Sequence, residues 1–126
     1  MKFETILRKS KKTKGNICSL SLMNDGKNIW MRANFPDSVS DKCTVGITEG
    51  KRGIGFIFSE DGELHTCAYS PKSKRKSIVK RRIDGIFRDM IPDKIKNFSG
   101  YIFICEAELK GNEVEFLFDN FVSKNL

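Results

Sequence analysis

The sequence predicts an α+β fold: a mostly antiparallel sheet of six or seven strands, arranged as hairpins, with one amphipathic basic helix packed on it. Three observations support this fold class. Turn signals recur between stretches of alternating apolar and polar residues, as in successive hairpins, and one later stretch has its apolar residues at helical spacing. The length of 126 residues is that of one ordinary domain, so we expect residues 1–126 to form a single domain.

The first hairpin is predicted at Asp25-Gly26, because this dipeptide favours a two-residue turn. The turn brings apolar residues opposite one another along one whole face. Successive side chains of a strand point to opposite faces, so Trp30 and Arg32 are expected on the other face, away from the core. The expected pairs of the apolar face are Leu22 with Ile29, Leu20 with Met31, and Cys18 with Ala33.

The second hairpin is predicted at Asp61-Gly62. It follows a strand over residues 43–48 and a loop over 49–53 with a basic tip, so a three-stranded meander is expected. Gly53 and Gly55 in the middle strand indicate a bulge or a close approach of another backbone. The expected pairs are Phe58 with His65, Phe56 with Cys67, and Ile54 with Tyr69.

The third hairpin is predicted at Lys110-Gly111. One of its faces is apolar, whereas the other places glutamates directly opposite glutamates, which destabilises a ladder. We therefore expect cations nearby, from residues 72–82 or from residues 8–14. The expected apolar pairs are Ala107 with Val114, Cys105 with Phe116, and Phe103 with Phe118, and the glutamate pairs are Glu108 with Glu113 and Glu106 with Glu115.

One amphipathic helix is predicted over residues 76–90. Its apolar residues recur at helical spacing, its other face is charged, and Pro92 lies just past its end. Gly85 interrupts the pattern at a cost of about 1 kcal/mol relative to alanine. The apolar stripe consists of Val79, Ile83, Ile86, Phe87 and Met90.

The segment that begins at Ile83 has a local likeness to a known family. Residues 91–96 read Ile-Pro-Asp-Lys-Ile-Lys, and glycines follow at Gly100 and Gly111. This pattern resembles the AbrB-type swapped-hairpin DNA-binding domains, in which a basic strand and an Ile-Pro-x-x-Ile-Arg segment precede a short terminal hairpin. Phe87 stands where that family carries glycine. The resemblance implies strands in place of the predicted helix.

Positive charge is concentrated in two parts of the chain. The net charge is +7, and thirteen of the 23 lysines and arginines lie within residues 8–14 and 72–88. A basic surface attracts phosphate backbones, because each neutralised phosphate releases condensed counterions. The alternative interpretation is that these lysine-rich stretches are solvated loops that keep the protein soluble.

We therefore expect a non-enzymatic protein that binds nucleic acid, DNA or RNA, through phosphate contacts. Trp30 beside Arg32 offers an aromatic ring and a cation for contact with bases. A second hypothesis is a small regulatory or inhibitory module that uses the same cations for a protein–protein interaction with an acidic surface. The candidate binding residues are Arg8, Lys9, Lys11, Lys12, Lys14, Trp30, Arg32, Lys72, Lys74, Arg75, Lys76, Lys80, Arg81 and Arg82.

Cysteine and histidine patterns predict neither a metal site, a catalytic residue nor a cofactor. The four cysteines lack the close C-x-x-C spacing of zinc sites, and we expect them to be buried small apolar residues. His65, the only histidine, is expected in the core or at its rim. No apolar run is long enough for a membrane span, and the first residues lack the apolar centre of a secretory signal, so an intracellular, cytoplasmic protein without membrane contact is expected.

A third hypothesis is a metal-dependent nuclease. Pro92-Asp93 and the later Glu108-Leu109-Lys110 fit the pattern of the PD-(D/E)xK nucleases, whose acidic residues hold Mg²⁺ while the lysine helps to position the attacking water. This resemblance implies that Asp93, Glu108 and Lys110 come together in one site.

Overall fold

The computed structural model describes residue 2, residues 16–68 and residues 75–126. Most of the regular structure in these residues is β-strand, and all of the pairings between their strands are antiparallel. In chain order the elements are β1 (Ile17–Asn24), β2 (Ile29–Pro36), β3 (Lys42–Ile47), β4 (Gly53–Phe58), β5 (Leu64–His65), β6 (Cys67–Ala68), β7 (Arg75–Ile83), α1 (Gly85–Asp89), α2 (Asp93–Lys96), β8 (Tyr101–Glu108), β9 (Glu113–Leu117) and β10 (Val122–Asn125).

The strands form two sheets. Six strands lie in the order β10-β8-β1-β2-β7-β6, and four lie in the order β5-β3-β4-β9. The predicted antiparallel sheet is therefore confirmed, but the predicted α+β class is wrong: the described residues form two sheets with two helices of five and four residues, and no long helix covers either sheet.

The inner faces of the two sheets pack on each other around one hydrophobic core. Phe35 of β2 makes edge-to-face ring contacts with Phe56 and Phe58 of β4, at centroid distances of 5.0 and 4.8 Å, within the range that aromatic pairs prefer. Phe56 in turn contacts Phe116 of β9 at 5.8 Å. All four rings are buried, so the aromatic cluster joins the two sheets.

The segment predicted as a helix over 76–90 is strand β7 followed by the short helix α1. In the helical stripe Val79 and Ile86 would be buried, but they are 56% and 75% exposed. Seven residues of the segment that starts at Arg75 pair with β2 instead, and these long-range pairings outweigh the local helical pattern. Gly85 then adopts a φ of +65°, which a glycine tolerates and which separates strand from helix.

The first hairpin is confirmed, with a different register. β1 and β2 pair, but Asn24 lies opposite Ile29 and the loop spans residues 25–28, because the Asp25 carboxylate accepts hydrogen bonds from the backbone N–H groups of Lys27 and Asn28. A shift of two residues leaves every side chain on its predicted face. The predicted apolar residues are accordingly all buried: Cys18, Leu20, Leu22, Ile29, Met31 and Ala33.

The second and third predicted hairpins are wrong as pairings. The β3–β4 pair is confirmed, but β5 pairs with β3 and not with β4, and the other neighbour of β4 is β9. β8 pairs with β1 and β10, so the chain passes from one sheet to the other between β8 and β9. Tyr69, expected opposite Ile54, lies outside the described residues.

The predicted apolar faces are nevertheless confirmed for β4, β8 and β9, whereas His65 and Cys67, predicted on the face of the second hairpin, are exposed. Gly53 also confirms the expected close backbone approach, since a Cβ atom there would lie 2.2 Å from the carbonyl oxygen of Phe116. The core residues that β8, β9 and the turn after β9 contribute are Phe103, Cys105, Val114, Phe116 and Phe118.

The swapped-hairpin resemblance requires strands where the structure has helices. Residues 85–89 and 93–96 are helical, and α2 is held against the end of β1 because the Asn24 side chain donates hydrogen bonds to the carbonyls of Ile95 and Lys96, at 3.1 and 2.9 Å. None of the helices in the described part of the chain is long and apolar enough to cross a membrane.

Candidate nucleic-acid interface

The candidate surface is the outer face of the six-stranded sheet, which points away from the core. Burial alternates along its strands, so the residues between the buried ones form this face. Directly paired residues share a face, and the pairings therefore arrange the outer side chains in rows that cross the sheet. Two neighbouring rows near one end of the sheet hold most of the described candidate residues.

The first of these, the tryptophan row, crosses from β10 to β7. Trp30 lies opposite Met23, Met23 opposite Ile102, and Ile102 opposite Lys124. On the other side of Trp30 the register with β7 shifts, so that two arginines face one tryptophan across a bulge. The tryptophan row consists of Lys124, Ile102, Met23, Trp30, Arg81 and Arg82.

The second, the Arg32 row, lies one step further along the strands. Arg32 lies opposite Ser21 on one side and Val79 on the other. All side chains of the two rows are at least partly accessible, and Val79 and Val122 are more than half exposed. The Arg32 row consists of Val122, Ile104, Ser21, Arg32 and Val79.

The ring of Trp30 is held in place by the turn before it. Its indole Nε1 donates a hydrogen bond to Oδ2 of Asp25 at 3.1 Å. The other carboxylate oxygen accepts the backbone N–H groups that close the turn, and these bonds, chiefly the one from Asn28, hold the pKa of Asp25 below its usual range. Asp25 therefore stays charged and keeps the indole fixed.

The two arginines of the bulge face solvent. Arg82 is 71% exposed and lies 3.7 Å from the Asp84 carboxylate, a loose pair of the kind that contributes little at a surface. Among the described residues, Arg81 and Lys124 make no ion pair. The tryptophan row thus has available cations at both ends.

Three other predicted binding residues, Arg75, Lys76 and Lys80, lie outside the two rows. Lys80 pairs with Met31 of the core-facing side and lines a cavity of about 200 Å³ on that side. Arg75 donates hydrogen bonds to Oδ1 of Asn34 and, at 2.6 Å, to the carbonyl of Ile17. Both Arg75 and Lys80 therefore lie away from the tryptophan row.

Lys76 also serves the fold. Its Nζ donates to the carbonyl of Val39 at 2.6 Å and to the carboxylate of Asp41 at 2.9 Å, and its side chain is only 23% exposed. The remaining candidates lie outside the described residues: Arg8, Lys9, Lys11, Lys12, Lys14, Lys72 and Lys74.

The glutamates of β8 lie at the far end of the outer face. Glu106 pairs with Ser19 and Glu108 with Ile17, four and six residues from the position of Met23 along β1. At about 3.3 Å per residue these are distances of about 13 and 20 Å, longer than the Debye length of about 8 Å at physiological salt. These glutamates therefore lie outside the tryptophan row. Of the cations expected near them, Arg75 reaches the carbonyl of Ile17, the residue opposite Glu108, and residues 8–14 lie outside the described residues.

The glutamates of β9 belong to the other sheet. Glu115 forms an ion pair with Arg52 at 2.7 Å, and hydrogen bonds from Thr48 and then Arg52 hold its pKa below the usual range. Together with Glu113 it lines a groove of about 880 Å³ on the outer face of the four-stranded sheet. Glu108 and Lys110 also line this acidic groove, so its three glutamates face two cations, Lys110 and the paired Arg52, and the two outer faces differ in charge.

The residues of the PD-(D/E)xK pattern do not come together. Asp93 begins α2, which lies at the Tyr101 end of β8. Glu108 ends that strand seven residues later, about 23 Å away. Within residues 16–68 and 75–126 no group of three or more acidic, histidine or cysteine side chains is placed to hold a metal ion.

Cysteine burial is confirmed for three of the four positions. Cys18, Cys43 and Cys105 are buried, whereas Cys67 is exposed, so the expectation is wrong for Cys67. Burial raises the pKa of Cys18 and of Cys43 to about 11. His65 is exposed, since its strand lies at the edge of the smaller sheet opposite Lys42 and not among aromatic residues.

Of the predicted binding residues, the structure brings Trp30, Arg81 and Arg82 together in the tryptophan row and places Arg32 in the row beside it. Met23, Ile102 and Lys124 of the tryptophan row were not predicted from the sequence. Lys124 lies far from both basic segments of the sequence, yet it pairs with Ile102 in the same sheet. The alternation of residues 101–108 does show that Ile102 and Ile104 lie off the core face. In comparisons with known proteins, no family model, no curated protein and no solved structure matches the chain.

Proposed function

We propose that the protein is a non-enzymatic nucleic-acid-binding protein that contacts phosphates with the cations of the tryptophan row. The observation that carries this proposal is the bulge of β7, which sets Arg81 and Arg82 opposite Trp30 on an accessible sheet face. Phosphate contacts of arginine and lysine supply the sequence-independent part of nucleic-acid affinity.

The local balance of charge supports the same function. The tryptophan row holds three cations, Lys124, Arg81 and Arg82, against the carboxylates of Asp25 and Asp84, so its net charge is positive. The acidic groove lies on the opposite outer face. A polyanion is therefore attracted to one side of the molecule, and this asymmetry steers its approach.

The test measures the salt dependence of binding to a labelled oligonucleotide by fluorescence anisotropy. Binding should be detectable at about 50 mM salt, and the logarithm of the association constant should fall linearly with the logarithm of the salt concentration. Arg81→Gln combined with Arg82→Gln should reduce that slope by about 2, because each lost phosphate contact removes about 1.

A matched control removes two charges elsewhere. Lys51→Gln combined with Arg52→Gln lowers the net charge equally, but these residues lie in the turn between β3 and β4 of the other sheet. The control should leave the salt slope unchanged. An equal loss of affinity in both double variants, or no binding at about 50 mM salt, would show that the proposal is wrong.

A further inference from the structure

The width of the outer face limits what it can contact. From β10 to β7 the tryptophan row spans five neighbouring strands, which is about 19 Å at about 4.8 Å between strands. The major groove of B-DNA is only about 12 Å wide and admits a helix or a two-stranded ribbon. A duplex lying on this face therefore offers its phosphates and keeps its bases out of reach of Trp30.

The centre of the two rows is apolar, which phosphate contact alone does not require. Ile102, Met23 and Trp30 stand side by side between the terminal cations, and Ile104 and Val79 lie in the next row. Unpaired bases have apolar faces that stack on aromatic side chains irrespective of sequence. An apolar strip with a cation at each end matches a single strand, whose backbone is charged and whose bases are free.

The indole is prepared for such stacking before any ligand binds. Its Nε1 edge is bound to Asp25 at 3.1 Å, so the ring is already ordered and its polar edge is satisfied. Ordering a side chain in advance removes part of the entropic cost of binding. The apolar surface of the ring therefore remains available for contact.

From the arrangement of the two rows, we infer that the protein selects single-stranded over double-stranded nucleic acid by stacking unpaired bases on Trp30 and its apolar neighbours. This inference rests on the proposed function, since it specifies which nucleic acid the same surface takes. The cations contact the phosphates of single-stranded and double-stranded nucleic acid alike, whereas Trp30 contacts bases only in the single strand.

The experiment compares a single-stranded oligonucleotide with the duplex of the same sequence, using a dye on the nucleic acid so that the tryptophan can be replaced. The wild-type protein should bind the single strand at least about 10-fold more tightly. Trp30→Leu should weaken single-strand binding by about 5- to 150-fold, as expected for the loss of one stacking platform, and should leave duplex binding unchanged.

Trp30→Phe keeps an aromatic ring without the indole nitrogen, and it should restore most of the single-strand affinity if stacking is the cause. Equal affinity for both strand types, or single-strand binding that Trp30→Leu leaves intact, would overturn the inference. The proposed function would survive that result if the double arginine variant still lowered the salt slope. Failure to bind either nucleic acid would overturn both.

Discussion

Replacing Gly53 by alanine should destabilise the protein strongly, because this position has no room for a side chain. A Cβ atom there would lie 2.2 Å from the carbonyl oxygen of Phe116 and 2.9 Å from the Cα atom of Leu117. These are backbone atoms of β9, so neither can rotate away, and β4 and β9 must move apart by about 1 Å or more. Overpacking of this kind costs about 1–3 kcal/mol.

Gly46→Ala is the matched control. Gly46 lies in β3 of the same sheet, and a Cβ atom there would meet no other atom within 4 Å. Neither glycine has a positive φ, so the two substitutions differ in the space available and not in backbone strain. Where the conformation suits alanine, the change stabilises a protein by about 0.4–1 kcal/mol through the unfolded state.

Urea unfolding followed by Trp30 fluorescence measures the difference. With a denaturant dependence of about 1–3 kcal/mol per molar, as is usual for small proteins, Gly53→Ala should lower the midpoint by about 1 M and Gly46→Ala should not lower it. Equal midpoints for the two variants would refute the reasoning. They would mean that β9 does not lie against β4, and that the chain forms the simple β8–β9 hairpin instead.

Three further predictions test other parts of the structure. Cys67 should be the only cysteine that iodoacetamide modifies in the folded protein, because the other three thiols are buried and burial raises the pKa of two of them to about 11. Mass spectrometry counts the modified sites, and a second modified cysteine would contradict the burial of these thiols. Arg75→Met should lower the free energy of unfolding by about 1–3 kcal/mol, since it leaves partly buried acceptors without this donor, and a stability equal to that of the wild type would show that the side chain is dispensable. The hydrogen bond and charge of Lys76 lower the pKa of Asp41 below its ordinary 3.8, so this pair stabilises the fold above that pH and stops doing so as the pH falls through the lower pKa of the folded state. When the unfolding temperature is measured at decreasing pH, it should fall less steeply for Asp41→Asn than for the wild type. Parallel curves would contradict a stabilising Lys76–Asp41 pair.

The faces of the strands could be predicted from the sequence, but their partners could not. Alternation assigns Phe103 and Cys105 to the inner face whichever strand lies beside them. In two packed sheets, an inward-facing side chain is buried whichever of the two sheets its strand belongs to. The pattern therefore could not distinguish β8–β9 pairing from the observed crossing between the sheets.

The error over residues 76–90 has a different cause. Val79 and Ile83 fit a helical stripe because they are four positions apart in the sequence. In β7, however, Ile78 is buried together with Ile83, and Val79 is exposed. The bulge opposite Trp30 breaks the strict alternation that would have revealed a strand. The same bulge places Arg81 and Arg82 opposite Trp30, so the irregularity that hid the strand in the sequence is also part of the candidate site.

The most direct test of the account is to map the contacts of a short single strand on the folded protein by ¹H–¹⁵N correlation spectra. The largest shifts should appear at the indole N–H of Trp30 and at the backbone N–H groups of Arg32 and Arg81, with signals around Gly46 and Gly55 of the other sheet unmoved. Shifts centred on the acidic groove, with the tryptophan row unaffected, would contradict the account.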